Sequence, residues 1–301
     1  MSPPVIPFDQ GDALLDWLGL TDALAAGHTL PKAEIGDTFL YRDPDTLLSR
    51  AAWIDGLGMA VKTATIFPEN ADKPTINGCV SLYSDSDGTL EAIIDFHLVT
   101  KWKTAGDSLL AALRLAPANP KRILIVGAGT VAASVRAAFG AGFPDAAFSL
   151  WNRSPGRAAE FAKAHPDVTV ELDLESAVKN ADIIVGCTMA TSPWLRGDWL
   201  RPGQHINLIG AYRPDMREVD DTTLLRSRVY VDSFDTTVGH IGEVKIPLEA
   251  GTIAREHLLA DYYDLSTFKP ASGDVTLFKN GGGAHLDLMT SRYVLDRWRA
   301  R

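Results

Sequence analysis

Cysteine is nearly absent from this chain. Cys79 and Cys187 are the only two in 301 residues, and they lie far apart. That excludes a disulfide scaffold and any C-x-x-C metal or redox centre. The seven histidines are scattered, with no H-E-x-x-H or comparable spacing, so no metal is expected. No G-x-S-x-G nucleophile elbow occurs. Positive charge is also short: 29 Lys and Arg stand against 38 Asp and Glu, a formal net charge of −9. A nucleic-acid binder needs a basic face, so that class is not expected, although a local basic pocket for a small anion is allowed. No apolar run is long enough to cross a membrane. The opening "MSPPVIPFDQGD" has no basic stretch followed by an apolar one. A cytoplasmic protein is therefore expected.

What is present divides into two rhythms. At 301 residues the chain has room for two domains with cores of their own. Residues 10–27 read as an amphipathic helix, with Leu14, Leu15, Leu18 and Leu24 on or near one face. "DTFLYR", "LLSRAAWI" and "GMAVKTATIF" read as strands. "NGCVSLYS" and "TLEAIIDFHLV" flank "DSDG", a hairpin signal. Residues 100–116 read as a helix, and "PANP" at 117–120 breaks the chain. This first third has local connections and suits an α+β domain. From residue 121 strands alternate with helices at the spacing of a parallel, doubly wound sheet. The expected class is therefore α/β, a Rossmann-type sheet joined to an α+β N-terminal domain.

The stretch "KRILIVGAGTVAASVRAAF" at 121–139 carries the first chemical signal. Ile123–Val126 form an apolar, β-branched run suited to a strand buried on both faces. An alanine-rich helix follows. Between them Gly127, Ala128 and Gly129 make a G-x-G-x-x-A turn, with Ala132 in the third place. Glycine there lets backbone approach a ligand. The helix N-terminus offers free N–H groups and the positive end of its dipole to a pyrophosphate. Gly127, Gly129, Thr130 and Val131 are the candidate contacts. The next strand ends "SLWNRS", so Asn152, Arg153 and Ser154 occupy the place where an acidic residue would bond the ribose of NAD. An arginine there binds a 2′-phosphate, which favours NADP, with NAD the alternative.

Seven motifs in order extend the reading beyond a cofactor fold: "VKTATIFPEN", "VTKWKTAGDSLLAALRLA", "RILIVGAGTVAASV", "SLWNRS", "GQHINLIGAYRPDMREVDD", "VYVDS" and "VTLFKNGGGAHLD". Together they resemble the ornithine cyclodeaminase/mu-crystallin family over nearly the whole length. The resemblance implies a substrate-binding and dimerising domain at 1–117, completed by 275–301, and a dinucleotide domain at 118–274. It implies hydride transfer at a carbon bearing nitrogen and a carboxylate. Lys62 matches the family lysine that lies against the substrate, and Arg42 stands upstream where a carboxylate-binding arginine is expected. The family's R-T-A-A here reads Lys103-Thr104-Ala105-Gly106; lysine lacks the bidentate fork of arginine. Where deaminating members present an aspartate, this chain has Tyr212, with Asp215 and Glu218 expected further along a solvent-side turn and helix start. His205 is expected to be structural. Thr188, after a sheet strand, and Asp232, at the carboxyl edge of another, suit either cofactor contacts or turn chemistry.

A reductase of a preformed imine needs a cation for the carboxylate and a proton for the nitrogen, not a base. The expected function is therefore NADPH-dependent reduction of a small 2-imino acid by a homodimer, with Lys62, Lys103, Arg42 and Tyr212 at the substrate. A cyclodeaminase or alanine-type amino-acid dehydrogenase, and an NADPH-binding protein without chemistry, stay open as alternatives.

Overall fold

The computed structural model describes residues 2–301. Its backbone divides into two compact units. One comprises the chain up to Gly106 together with Gly283–Arg301, and the other is Asp107–Gly282.

The first unit is built on a six-stranded sheet: β1 (Val5–Ile6), β2 (Glu34–Arg42), β3 (Asp45–Ile54), β4 (Gly58–Ile66), β5 (Ile76–Tyr83) and β6 (Leu90–Asp95). The order is β1-β6-β5-β4-β3-β2. Only the β1–β6 pair is parallel. The "DSDG" turn joins β5 to β6, with Gly88 at φ +69 and Thr89 bonded to the Asp87 carboxylate. The single helix expected over 10–27 is two, α1 (Phe8–Asp12) and α2 (Trp17–Gly27). Asp16 breaks it by capping α2, accepting the Gly19 N–H at 2.6 Å. Strand β4 alternates buried and half-buried positions, so Ala60, Lys62 and Ala64 share one covered face. The C-terminal helix α10 (Ala284–Arg299) covers that face. Arg292 ties it to Glu91 on β6 at 2.6 Å, and Tyr293 ties it to Asp16 at 2.9 Å. Strand β2 is exposed along its entire length at the sheet edge. The helix α3 (Phe96–Leu115) runs from the first unit into the second.

The second unit holds eight parallel strands: β7 (Arg122–Val126), β8 (Ala147–Trp151), β9 (Val168–Val170), β10 (Ile183–Gly186), β11 (His205–Leu208), β12 (Arg228–Val231), β13 (Leu258–Ala260) and β14 (Thr276–Lys279). The order is β13-β12-β14-β11-β10-β7-β8-β9. Read from β9, the first five follow the doubly wound order, reversing between β7 and β10, and β14 takes the sixth place. Helices α4 (Thr130–Gly142), α5 (Pro155–Ala164) and α6 (Leu174–Asn180) form the first crossovers; α7 (Asp221–Arg226), α8 (Phe234–Thr237) and α9 (Gly242–Glu249) follow β11 and β12. The β10 and β11 strands are buried throughout, as strands of a two-faced sheet must be. Strand β14 is bonded between β11 and β12. The return to the first unit therefore begins at Gly283 and not at residue 275, and the earlier division falls within α3, ahead of "PANP". The helix continues unbroken through Gly106, so no turn marks that place in the sequence.

Candidate active site

The candidate residues fall in both units, and each set is built by its own sheet. In the first unit the register places Lys62 opposite Arg50 on β3, and Arg50 opposite Asp37 on β2. These three share the face covered by α10, because residues directly opposite in antiparallel strands point the same way. Lys62 Nζ donates to Asp287 Oδ1 of α10 at 2.9 Å, with the two side chains 8% and 2% exposed. The Phe96 ring lies 4.7 Å from the same nitrogen, a distance suited to a cation–π contact. Burial lowers the Lys62 pKa to about 8; Asp287 opposes that, while Lys103 and Arg50 add to it. Lys103 of α3 is buried too. Burial acts to raise the Asp287 carboxyl, yet Lys62, Lys103 and Arg50 together hold it below the ordinary carboxylate range. Arg50 also pairs with Asp37 at 2.9 Å, so three cations stand against two carboxylates, an excess of one positive charge.

Arg42 is not one of them, which corrects its expected placement. It ends β2 on the opposite face of the sheet from Lys62, since it lies an odd number of residues from Asp37. Its guanidinium is 79% exposed and pairs with Asp45 at 2.5 Å. The arginine beside Lys62 is Arg50, which the sequence reading passed over. The signal was available: alternate positions on paired strands "LLSRAAWI" and "GMAVKTATI" bring Arg50 and Lys62 to one face once the tight Asp55–Leu57 turn fixes their register.

In the second unit the glycine turn sits at the point where strand order reverses. Gly127 has φ +109, and a Cβ there would come within 2.9 Å of the Cys187 carbonyl oxygen after β10. Its N–H donates to Trp151 O at the end of β8, 2.9 Å away. Gly129 is the N-cap of α4, with no side chain to cap the first turn and open space where a Cβ would be. The free N–H groups of that turn, beginning at Thr130 and the exposed Val131, therefore face room for a phosphate. The glycine cradle fits a dinucleotide. At the end of β8, Asn152 Nδ2 donates to Ser154 O at 3.0 Å and Ser154 begins α5 without a side-chain cap. Arg153 is exposed, and so is Arg157 one turn on; neither has a hydrogen-bond or ion-pair partner among the described residues.

The ends of β10 and β11 are tied by one side chain. Glu218, expected at the solvent, is fully buried. Its Oε1 accepts from the Thr188 N–H and hydroxyl at 3.0 and 2.7 Å, and its Oε2 accepts from Gly210 N and Ala211 N at 2.9 and 3.2 Å. Trp194 Nε1 completes the knot at Thr188 Oγ1, 2.9 Å. Behind it Glu243 accepts from the N–H groups of Glu218 and Val219. Burial, and next the Glu218 charge, push the Glu243 carboxyl up to about 7 against the pull of Lys279. Tyr212 follows this knot and is exposed, with Arg213 stacked 5.8 Å from its ring. Asp215 is exposed and paired with Arg213 at 2.9 Å. Of the two roles open to Asp232, cofactor contact and turn chemistry, its hydrogen bonds show the second. It is buried, and its two oxygens accept from Ser233 N, Thr237 Oγ1, Gly281 N and Gly282 N at 2.6–2.8 Å. It holds the 281–282 loop. His205, bonded to Thr276 Oγ1 at 2.9 Å, is lowered to about 3 by burial and stays neutral. No cluster of side chains suited to a metal occurs among the described residues, and no helix there is long and apolar enough to cross a membrane.

Comparison with known proteins adds the chemistry of relatives. A Δ1-pyrroline-2-carboxylate reductase of Paracoccus denitrificans is 43% identical over 304 residues, covering 97% of this chain and 96% of that one. The ketimine reductase mu-crystallin of Mus musculus is 35% identical over 232 residues, 76% of this chain and 72% of its own. Among solved structures, the Thermococcus litoralis Δ1-pyrroline-2-carboxylate reductase in complex with NADH and L-proline superposes with a TM-score of 0.88 at 22% identity, covering 98% of this chain and 97% of that one. An archaeal alanine dehydrogenase dimer with bound NAD gives 0.90 at 22% identity, covering 100% and 97%. Those two share the fold. The model of the ornithine cyclodeaminase/mu-crystallin family matches residues 54–301, and the chain belongs to that family.

Proposed function

We propose that this protein reduces a small 2-imino acid, such as Δ1-pyrroline-2-carboxylate, Δ1-piperideine-2-carboxylate or a linear ketimine, to the L-amino acid with a nicotinamide cofactor. The observation that carries the proposal is the cluster of buried Lys62 and Lys103 with half-buried Arg50, three cations against the carboxylates of Asp287 and Asp37. Such an excess of positive charge suits a further carboxylate, brought by a small acid. The 43% identity to a Δ1-pyrroline-2-carboxylate reductase directs the chemistry to the C=N bond. When bound, the reduced nicotinamide supplies the hydride. Arg50 and Lys103 hold the carboxylate, and Lys62 supports the charge and protonation of the imine nitrogen. Tyr212 donates a hydrogen bond where deaminating relatives carry a base. Thr188, Gly127, Gly129, Thr130 and Val131 hold the cofactor, and Asn152, Arg153 and Ser154 its ribose end. We assign substrate and self-association to the first unit, cofactor to the second, and the protein to the cytoplasm.

The test is loss of NADPH absorbance with each of those imines and with pyruvate plus an amine, beside ammonia release from ornithine with NAD. Reduction without ammonia release supports the reading; ammonia release at a comparable rate moves the protein to the deaminating branch.

NADPH is the expected preference. Replacing Arg153 by alanine removes a charge-assisted bond worth about 1.5–3 kcal/mol, or roughly 10–100-fold in affinity. The loss is expected for NADPH only; equal loss of NADH in a binding titration defeats the 2′-phosphate assignment.

The exposed edge of the first sheet suits a homodimer. Ile35, Phe39 and Tyr41 are exposed on one face of β2, and Leu40 of β2 with Leu47 and Trp53 of β3 on the other, and exposed apolar groups along an unpaired edge strand mark an interaction surface. Light scattering at micromolar concentration is expected to give twice the mass of one chain; a monomer mass refutes this, and Phe39→Asp with Leu40→Asp is expected to shift the native dimer toward monomer.

A further inference from the structure

We propose that Asp287 is a positioning residue for the reduction: from the C-terminal helix it fixes Lys62 Nζ in one orientation and keeps that amine charged, so that Lys62 meets the substrate as a donor. The proposal rests on the reading of Lys62 above and names the residue through which that reading works.

Geometry comes first. A lysine ammonium has three N–H donors. One of Lys62 is committed to Asp287 Oδ1 at 2.9 Å, and the face of the Phe96 ring takes the same nitrogen at 4.7 Å. No other hydrogen-bond acceptor engages it among the described residues, so a donor is left for a ligand. The flexible four-carbon stem would otherwise let the head rotate. Both partners are nearly sealed from water, and Asp287 comes from α10, 225 positions along the chain from Lys62.

The surrounding charges make the carboxylate necessary. Arg50 faces Lys62 from β3 and Lys103 faces it from α3; both work against a third positive charge. Asp287 faces it from α10, and His285 of the same helix lies within reach of Lys103 and Arg50. Burial, together with His28, Lys103, Arg50 and Lys32, keeps His285 well below its ordinary pKa and therefore neutral. Asp37 of β2 is taken up by Arg50 at 2.9 Å, which leaves Asp287 as the carboxylate that favours a charged Lys62. Its second oxygen, Oδ2, is buried without a hydrogen-bond partner, so its ionised state is sustained by the cations and not by further bonds. A buried ion pair is a weak device for stability, since an apolar pair of equal volume commonly does as well or better. Its consequence is chemical: without Asp287, the burial that already lowers Lys62 to about 8 acts with Arg50 and Lys103 unopposed. Lys62 then becomes a neutral amine at neutral pH, able neither to hold a carboxylate by charge nor to give up a proton.

The experiment compares the full-length protein with Asp287→Asn and Asp287→Glu by two readouts. The first is NMR titration of ε-¹³C-labelled lysine, the Lys62 signal being assigned by its loss in Lys62→Arg. The second is the pH profile of kcat/KM for NADPH-dependent reduction of Δ1-pyrroline-2-carboxylate. In Asp287→Asn, Lys62 is expected to lose about tenfold or more in proton affinity. The alkaline limb of the profile is expected to move to lower pH by the same amount, while activity at the acid end approaches that of the native protein. Asp287→Glu is expected to return both toward native. Ionisation of the imine is common to all three proteins and cancels in the comparison. A merely structural role would lower activity equally at every pH and leave the Lys62 titration unmoved; that result overturns the proposal. If the Asn variant does not fold, Asp287→Ser, which also removes the charge but keeps a small polar group, takes its place, and an unmoved Lys62 titration there overturns the proposal equally. A native protein that turns over no imine defeats the reduction reading alone, and the NMR titration still decides Asp287.

Discussion

Methionine in place of Lys62 is expected to lower kcat/KM for imine reduction by about 10²–10⁴-fold, the range associated with loss of a positioned proton donor. Methionine keeps length and apolar contact with Phe96 while removing charge, the bond to Asp287 and the donor left for substrate. Cofactor binding, which we assign to the second unit's glycine turn, is expected to hold. Stability is expected to suffer, because Asp287 is left buried without its hydrogen-bonded partner; breaking a buried pair costs about 3–5 kcal/mol. Arg50 and Lys103 still neutralise part of that charge, which sets this figure as the upper end. The double variant Lys62→Met with Asp287→Leu removes both ions and is expected to recover most of the thermal stability but none of the activity. Native kcat/KM in the single variant would place the chemistry elsewhere.

Glutamine at Glu218 is expected to weaken NADH and NADPH alike by roughly 10–100-fold, the equivalent of one or two charge-assisted bonds of about 1.5–3 kcal/mol. Glu218 receives donors on both oxygens: the Thr188 N–H and hydroxyl on one, the Gly210 and Ala211 N–H groups on the other. An amide has a single oxygen. Whichever way it turns, its NH₂ meets backbone N–H groups and releases one of the two loops. These loops close the carboxyl ends of β10 and β11, beside the point of strand reversal where ligands gather in doubly wound sheets. Arg153→Ala discriminates between the cofactors and Glu218→Gln does not. A binding titration in which Glu218→Gln keeps native affinity for both would reduce Glu218 to a structural tie.

Much of this was local and therefore legible in the chain. The strand–glycine–helix turn at 122–142 needs only a β-branched run, two glycines and an alanine-rich helix, all contiguous. The β–α alternation after residue 121 followed from periodicity, as did the β5–β6 hairpin from "DSDG". The chain-terminal helix lay in an equally plain pattern. Local reading failed where a choice depended on register. Arg42 and Arg50 lie on one hairpin, and only cross-strand pairing shows that they point to opposite faces. It failed again at Glu218, whose neighbours in "RPDMREVDD" are mostly charged and suggest a surface; burial came from the loops it ties together.

By itself, then, the sequence determined the family, the two kinds of sheet and the place of the glycine turn, because each rests on patterns spanning a few turns of helix or a pair of strands. Only the tertiary structure decided which charges meet. The Lys62–Asp287 pair joins residues 225 positions apart, and the Arg50–Lys62 pairing depends on a register that shifts every side chain to the other face if it slips by one residue. Charge–charge energies fall with distance in space and take no account of separation along the chain, so the chemistry of the site belongs to the fold.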